Sequence, residues 1–259
     1  GNDLTQRINI GEGNDEIYTL ANTFDTMFNR LQNSFEREAQ FTSDVSHELR
    51  TPVAIIISEC EYGLENLTSI ENAKDTISSV LDETKKMSKL ISQLLTLSRM
   101  DRGNQKLNFE KINISEMTHL IADSQQHNAD SKNIKIHSEI EENIFIVGDE
   151  TMIMRIFVNL ISNAINYGRE NGNIWIKLTQ DKDFAICKII DDGIGIEKEN
   201  IPKIWGRFYQ VESSRTTENL GLGLSMVKWI IEAHKGEIYA ESEIGKGSSF
   251  VFKLKKEGK

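Results

Sequence analysis

Cysteine is nearly missing from this chain: Cys60 and Cys187 are its two copies in 259 residues, and they stand far apart. Neither a disulfide frame nor a zinc site is implied, which fits a reducing compartment. No basic block stands out and the net charge is -10, so a nucleic-acid partner is not expected. No apolar run approaches the length of a membrane span, and no signal peptide opens the sequence. A Walker P-loop is absent as well, which removes that route to nucleotide binding. What is present is an ordinary composition, 38% hydrophobic and 27% charged, in a chain long enough for two domains and a connector. It opens on Gly1 in the middle of what reads as a module, so a piece of a longer protein is expected.

The stretch Phe41-Thr42-Ser43-Asp44-Val45-Ser46-His47-Glu48-Leu49-Arg50-Thr51-Pro52 organises the rest. Large apolar residues precede it at Phe24, Phe28, Leu31 and Phe35 and follow at Val45, Leu49, Pro52 and Ile56. Their alternating spacing makes a heptad seam along one helix. Glu38 and Thr42 fall on that seam and are polar, so it is weak just above His47. With Val45 and Leu49 on the seam, His47 takes the outermost position and Thr51 lies one turn below. Pro52 lacks the amide that would pair with the Glu48 carbonyl, so a bend below His47 is expected. A lone histidine is most often a satisfied core or surface residue. Here the core version fails because His47 faces away from the seam, while the surface version stands until the rest is read.

A polar break at Glu65-Asn66-Leu67-Thr68-Ser69 ends this helix. A second helix is expected from about Ile70 to Met100, with Ile77, Val80, Thr84, Met87, Ile91 and Leu94 as its seam. Two long amphipathic helices joined by a short turn form an antiparallel hairpin. The hairpin buries only part of its apolar face, and pairing with a second copy into a four-helix bundle completes it; packing on the C-terminal domain of its own chain is the alternative. Asp101-Arg102-Gly103-Asn104 is a short polar connector that tethers the next domain. From Leu107 the period changes. Strands are expected at 134–140, 173–178, 184–189, 236–240 and 248–252, with helices at 152–167 and 222–233. The fold class is therefore an all-α hairpin followed by an α+β sandwich, with its helices on one sheet face.

Four short motifs sit at the ends of these elements. In Asn159-Leu160-Ile161-Ser162-Asn163-Ala164-Ile165-Asn166-Tyr167 the amides of Asn159 and Asn163 share a helix face, and an amide oxygen suits magnesium; a solvated face is the bland alternative. Asp191-Asp192-Gly193-Ile194-Gly195-Ile196 follows a strand. Its carboxylate can accept from a base amine while bare glycines admit a flat ring. It is not a Rossmann fingerprint, since no third glycine follows in place and no helix opens there. Trp205-Gly206-Arg207-Phe208-Tyr209 leads into a polar stretch from Gln210 to Asn219 that reads as a lid. Leu220-Gly221-Leu222-Gly223-Leu224 stands at a helix N-terminus, where bare amides can face a phosphate.

Taken in order with the His47 segment, these motifs resemble a sensor histidine kinase of two-component signalling. His47 to Pro52 looks like the H box of a HisKA-type dimerisation and phosphoacceptor domain. The later motifs look like the N, G1, F and G2 boxes of the ATP-binding domain shared with gyrase and the Hsp90 chaperone, and Gly245 to Phe250 looks like the last glycine box. The amphipathic start at Asp15-Glu16-Ile17, Leu20, Phe24 and Met27 resembles the second helix of a HAMP linker, which would place the parent protein in a membrane, with its catalytic part on the cytoplasmic face. The domains implied are 1–32, 33–102 and 107–257.

The resemblance implies that His47 accepts the γ-phosphate of ATP, that Glu48 orients the ring and takes its proton, and that Thr51 positions a hydrolytic water. Asn163 would hold Mg2+, with Asn159 and Asn166 near the phosphates, Tyr167 against the nucleotide and Asp191 on the adenine amine. Gly193 and Gly195 would shape the base pocket, and Ile196 and Ser248 would also bind the nucleotide. Arg207, Phe208, Gly221, Leu222, Gly223 and Leu224 would shape the phosphate end and lid. Implied partners are a second copy of the chain and the receiver domain of a response regulator. Two departures stand out: Asn166 occupies a place usually held by lysine, which predicts weaker ATP affinity, and Glu218-Asn219 precedes Leu220 where glycines are usual. Rival readings are a stand-alone ATPase of the gyrase and chaperone class, which has no use for His47, and a non-catalytic dimeric scaffold.

Overall fold

The computed structural model describes residue 8 and residues 16–66, 69–101, 106–210 and 221–257. The start of the HAMP-like stretch, the middle of the hairpin turn, the connector at 102–105 and the lid at 211–220, with Glu218-Asn219, lie outside the described residues.

Helix α1 (Glu16–Asn66) runs unbroken through His47 and Pro52, and α2 (Ile70–Asp101) follows, which makes the expected pair. Around His47 three hydroxyls bond back one turn: Thr42 to the Glu38 carbonyl at 2.9 Å, Ser46 to Thr42 at 2.8 Å and Thr51 to His47 at 3.5 Å. Such back-bonds compete with the helical ladder, and Pro52 supplies no donor to Glu48, so the turns flanking His47 are weakly reinforced; Thr23 and Thr26 make the same back-bonds nearer the start of α1. The two helices approach at Gly63, where an added Cβ would lie 3.2 Å from the Thr76 methyl. Burial along the expected seam is mixed, and the buried residues of α2 are Leu90, Leu97 and Met100, which lie off it. Val45, Leu49, Pro52 and Ile56 are half-buried, whereas Phe24, Leu31, Phe35, Ile77 and Ile91 are exposed in the single chain.

By compactness the chain divides between Ser88 and Lys89, inside α2, into two units. In the second unit a two-stranded antiparallel sheet joins β1 (Glu110–Asn113) and β3 (Phe145–Gly148). A five-stranded sheet contains β2 (Lys135–Ile140), β4 (Asn173–Gln180), β5 (Phe184–Asp191), β6 (Glu237–Glu243) and β7 (Gly247–Lys255) in the order β2-β4-β5-β7-β6. The β2-β4 pair is parallel and the others antiparallel. Alternation sorts the faces: Ile174, Ile176 and Leu178, then Ala185, Cys187 and Ile189, then Phe250, Phe252 and Leu254 are buried in turn. They meet the apolar stripe of α4 (Glu150–Tyr167), whose Phe157 packs edge-on against Phe252 with ring centroids 5.4 Å apart. Helices α3 (Ile114–Asp130) and α5 (Gly223–Ala233) flank α4 on this face.

The expected strands and the expected helices at 152–167 and 222–233 are present within a residue or a few at each end. Sequence reading did not anticipate β1, α3 or β3. Helix α3 starts with a capping asparagine, Asn113 accepting from the Glu116 amide at 3.3 Å, and α4 with Asp149 accepting from Met152 at 3.0 Å. Buried His234 ties the far end of α5 to the start of α4. Its Nδ1 donates to the Ile230 carbonyl at 2.7 Å, so its Nε2 accepts from the Asp149 amide at 3.0 Å.

Candidate functional site

Asp191 closes β5 and is held from both sides, paired with Ile174 on β4 and Ser248 on β7. Only 5% of its surface is exposed. One carboxylate oxygen, Oδ1, accepts from the Gly193 amide at 2.9 Å and the Ser248 amide at 3.3 Å. Burial pushes its pKa up to about 6; the two amide bonds pull the other way, and the neighbouring Asp192 charge adds to the rise. No cation contributes to that balance. Asp192 points elsewhere: both of its oxygens accept from the Asn173 amide at 3.0 Å, fixing the start of β4. The paired aspartates therefore divide the work, one facing a cavity and one bracing the sheet.

That cavity lies between α4 and the ends of β5 and β7 and is partly open to solvent. Of the residues expected there, Asn163, Tyr167, Asp191, Gly195, Ile196, Leu224 and Ser248 line it. Ile194, Ile204, Tyr209, Ile244 and Phe250 complete an apolar wall that the motifs alone did not point to. Ile194, Tyr209 and Phe250 stand inside motifs already singled out, whereas Ile204 and Ile244 lie outside them. Gly193 lies behind the wall. An added Cβ would sit 2.3 Å from the Tyr167 carbonyl, which instead accepts from the Ile194 amide at 3.1 Å and brings α4 against the pocket.

A second cavity adjoins the first and shares Asn163, Tyr167 and Leu224; Asn159, Gly221, Leu222 and Gly223 also line it. Leu222 caps α5 without a side-chain bond, so the first amides of that helix are unclaimed by a cap and carry the positive end of its dipole. Gly223 lets this helix start close to α4, an added Cβ falling 3.0 Å from Asn159 Oδ1. Asn159 Nδ2 donates to the Arg155 carbonyl at 2.8 Å, and the half-buried Asn163 amide has no hydrogen-bond partner among the described residues. Two amide oxygens facing one space are hard donors that fit magnesium shared with phosphates. Among the described residues no cluster of three or more His, Cys, Asp or Glu could hold a metal alone.

Besides Gly193, three residues expected at the nucleotide lie off both cavities. Asn166 is turned towards Ser162 Oγ at 3.5 Å, at a helix end whose Ile165 and Asn166 carbonyls accept from Lys132 at 3.0 and 2.7 Å. Arg207 is exposed. Phe208 has a left-handed φ of 57° and its backbone lies under Gly221, 2.7 Å from an added Cβ there, so the aromatic motif props the glycine motif. Trp205 anchors it edge-on against Phe250 with centroids 6.1 Å apart. In the first unit His47 is exposed on α1, with Glu48 half-buried beside it.

Comparison with known proteins agrees with this division. Residues 148–258 match the histidine kinase-, DNA gyrase B- and HSP90-like ATPase family, residues 37–103 the His Kinase A (phospho-acceptor) domain, and residues 1–33 the HAMP domain. The chain is 35% identical over 251 residues to the sensor histidine kinase YclK of Bacillus subtilis, covering 93% of this chain and 53% of that protein. It is 33% identical over 254 residues to the probable sensor protein PcoS of Escherichia coli, covering 97% and 53%. Among solved structures, the catalytic domain of histidine kinase ThkA superposes with a TM-score of 0.51 at 28% identity, covering 57% of this chain and 96% of that one. The Acinetobacter baumannii histidine kinase AdeS, at 24% identity, shares the fold with a TM-score of 0.69 over 82% of this chain and 98% of that one.

An ATP-binding domain of the gyrase and chaperone class joined to a histidine-bearing helical hairpin defines a class of phosphotransfer proteins. The chain belongs to the sensor histidine kinases of two-component signalling. It spans about half the length of the curated relatives it matches.

Proposed function

We propose that this chain is the catalytic core of a sensor kinase that binds Mg-ATP in the second unit and transfers its γ-phosphoryl group to His47. The observation that carries the reading is Asp191, an almost buried carboxylate with only amide donors around it, at the end of an apolar cavity that opens towards an uncapped helix start. Such a carboxylate accepts from an amine in the plane of a flat ring, and the apolar wall takes the ring faces. Tyr167, Gly195, Ile196 and Ser248 shape that end. Asn159 and Asn163, with the first amides of α5 at Gly223, face the phosphates. The Asn163 amide, with Asn159 beside it, would hold magnesium, which would supply charge neutralisation at the phosphates.

Phosphoryl transfer asks mainly for in-line positioning and charge neutralisation. A ring nitrogen of His47 attacks the γ-phosphorus, the bond to the bridging oxygen breaks, ADP leaves, and Glu48 receives the ring proton. The phosphoryl group then passes to an aspartate of a response regulator, and Thr51 positions water for the reverse control, dephosphorylation of that regulator. Two neighbours support these partners. A ThkA structure, 22% identical, holds a response regulator protein, and a ShkA structure holds AMPPNP. We assign the bundle to 33–102 and the catalytic domain to 107–257, in a homodimer whose parent is membrane-anchored through the HAMP segment. No helix among the described residues is long and apolar enough to cross a membrane.

Incubation with γ-labelled ATP tests this directly. Label on the protein should be acid-labile and absent from His47→Ala, while that variant still binds ATP. Hydrolysis of ATP with no label at His47 would favour the stand-alone ATPase instead.

A further inference from the structure

Helix α4 carries one basic residue, Arg155, among the eighteen from Glu150 to Tyr167. Arg155, Asn159 and Asn163 recur every four residues, so they share one face of α4 and all line the second cavity. Their order along the helix matches the order of a nucleotide. Tyr167 and Asn163 also line the cavity of Asp191, Asn159 faces the glycine motif at Gly223, and Arg155 lies one turn further on, about 6 Å along the axis. The Arg155 guanidinium is half-exposed and has no carboxylate or hydrogen-bond partner among the described residues. Asn166, nearer the adenine end, carries no charge and turns towards Ser162.

We propose that Arg155 is the terminal-phosphate residue of this site: its planar fork grips the γ-phosphoryl oxygens of ATP and stabilises the charge they carry during transfer. The inference rests on the ATP reading above and deepens it. A guanidinium suits this place because its two parallel N–H groups match a phosphate edge and cannot deprotonate. The helix turn bearing it is rigid, packed through Ile153, Ile156 and Phe157, which are fully buried, so the fork is held at a set depth in the cavity.

The discriminating measurement compares nucleotides that differ only at the third phosphate. Calorimetric titration of the chain with Mg-ADP and with Mg-AMPPNP should show Arg155→Gln weakening AMPPNP about tenfold and ADP less than twofold. Arg155→Lys should recover part of that loss, and thermal unfolding without nucleotide should be unchanged in both variants. Labelling of His47 at saturating ATP should fall in Arg155→Gln. Equal weakening of ADP and AMPPNP, or no weakening of either, would overturn the assignment and leave Arg155 as a packing or solvated residue. Failure of the unaltered chain to bind either nucleotide would overturn the ATP reading itself, and this assignment with it.

Discussion

In its proposed role, Asp191 gives up stability for recognition. Its folded pKa of about 6 lies above the ordinary 3.8, so between those values the folded state holds the extra proton. Stability contributed by that proton is present at low pH, falls as pH rises through roughly 4 to 6, and is gone above it. At about 1.4 kcal/mol per pH unit, the ionised carboxylate costs the nucleotide-free fold on the order of 3 kcal/mol at neutral pH. Asp191→Asn keeps the Oδ1 acceptor for Gly193 and Ser248 and loses the charge. It should raise the thermal midpoint at pH 7.5, leave it nearly unchanged at pH 4, and abolish ATP binding. In the unaltered chain, ATP affinity measured at pH 5 should be several-fold below that at pH 7.5, because protonation removes the acceptor. An affinity flat across that range would show that Asp191 does not read the base.

At the scale of elements, the site is held by the closeness of backbone segments that no side chain may separate. Gly247 opens β7 with a φ of 100°, and an added Cβ would fall 1.9 Å from the Asp191 carbonyl oxygen. Gly245, two residues earlier, has a φ of 77° but open space around it. Gly245→Ala should cost only the left-handed strain, about 1–2 kcal/mol. Gly247→Ala should cost more than about 4 kcal/mol, because β7 must move off β5, and ATP binding should fail with it. Urea unfolding of the two variants measures the difference; equal costs would mean the β5-β7 contact at Asp191 yields easily. The weak turns around His47 belong to this scale too. Thr42, Ser46 and Thr51 bond back to carbonyls and Pro52 removes an amide, so α1 is compliant on both sides of the proposed phosphoacceptor His47.

At the scale of the whole molecule, one copy leaves apolar surface of the hairpin uncovered. Ile77, Leu81, Ile91 and Leu95 are exposed along one side of α2, and Phe24, Leu31 and Phe35 along α1. Stripes of this extent on helices with heptad spacing call for a partner helix pair. The chain should sediment as a dimer at micromolar concentration, and Leu81→Glu, which places a charge on the exposed apolar side of α2, should shift it to monomer with ATP affinity kept. A monomeric unaltered chain would sink the bundle. On the proposed reading, ATP binding and phosphate acceptance fall to different parts of the chain, which leaves transfer open to control.

The sequence by itself determined the two long helices, the outward position of His47, the five sheet strands and the ordered motifs. Each is written in local period: heptad spacing over α1 and α2, alternation along β4 and β5, glycines beside Asp191 and Gly223. It was silent on β1 and β3, which are four residues long, and on α3, whose second half reads Asp123-Ser124-Gln125-Gln126-His127-Asn128 without an apolar stripe. Only the tertiary structure decided that Ile244 and Phe250 wall the base cavity, that Asn166 turns away from it and that Arg155 joins it. The reason is physical: periodicity tells which face of an element is apolar, but which residues of different elements share a cavity depends on strand order and on how closely the helices pack on the sheet.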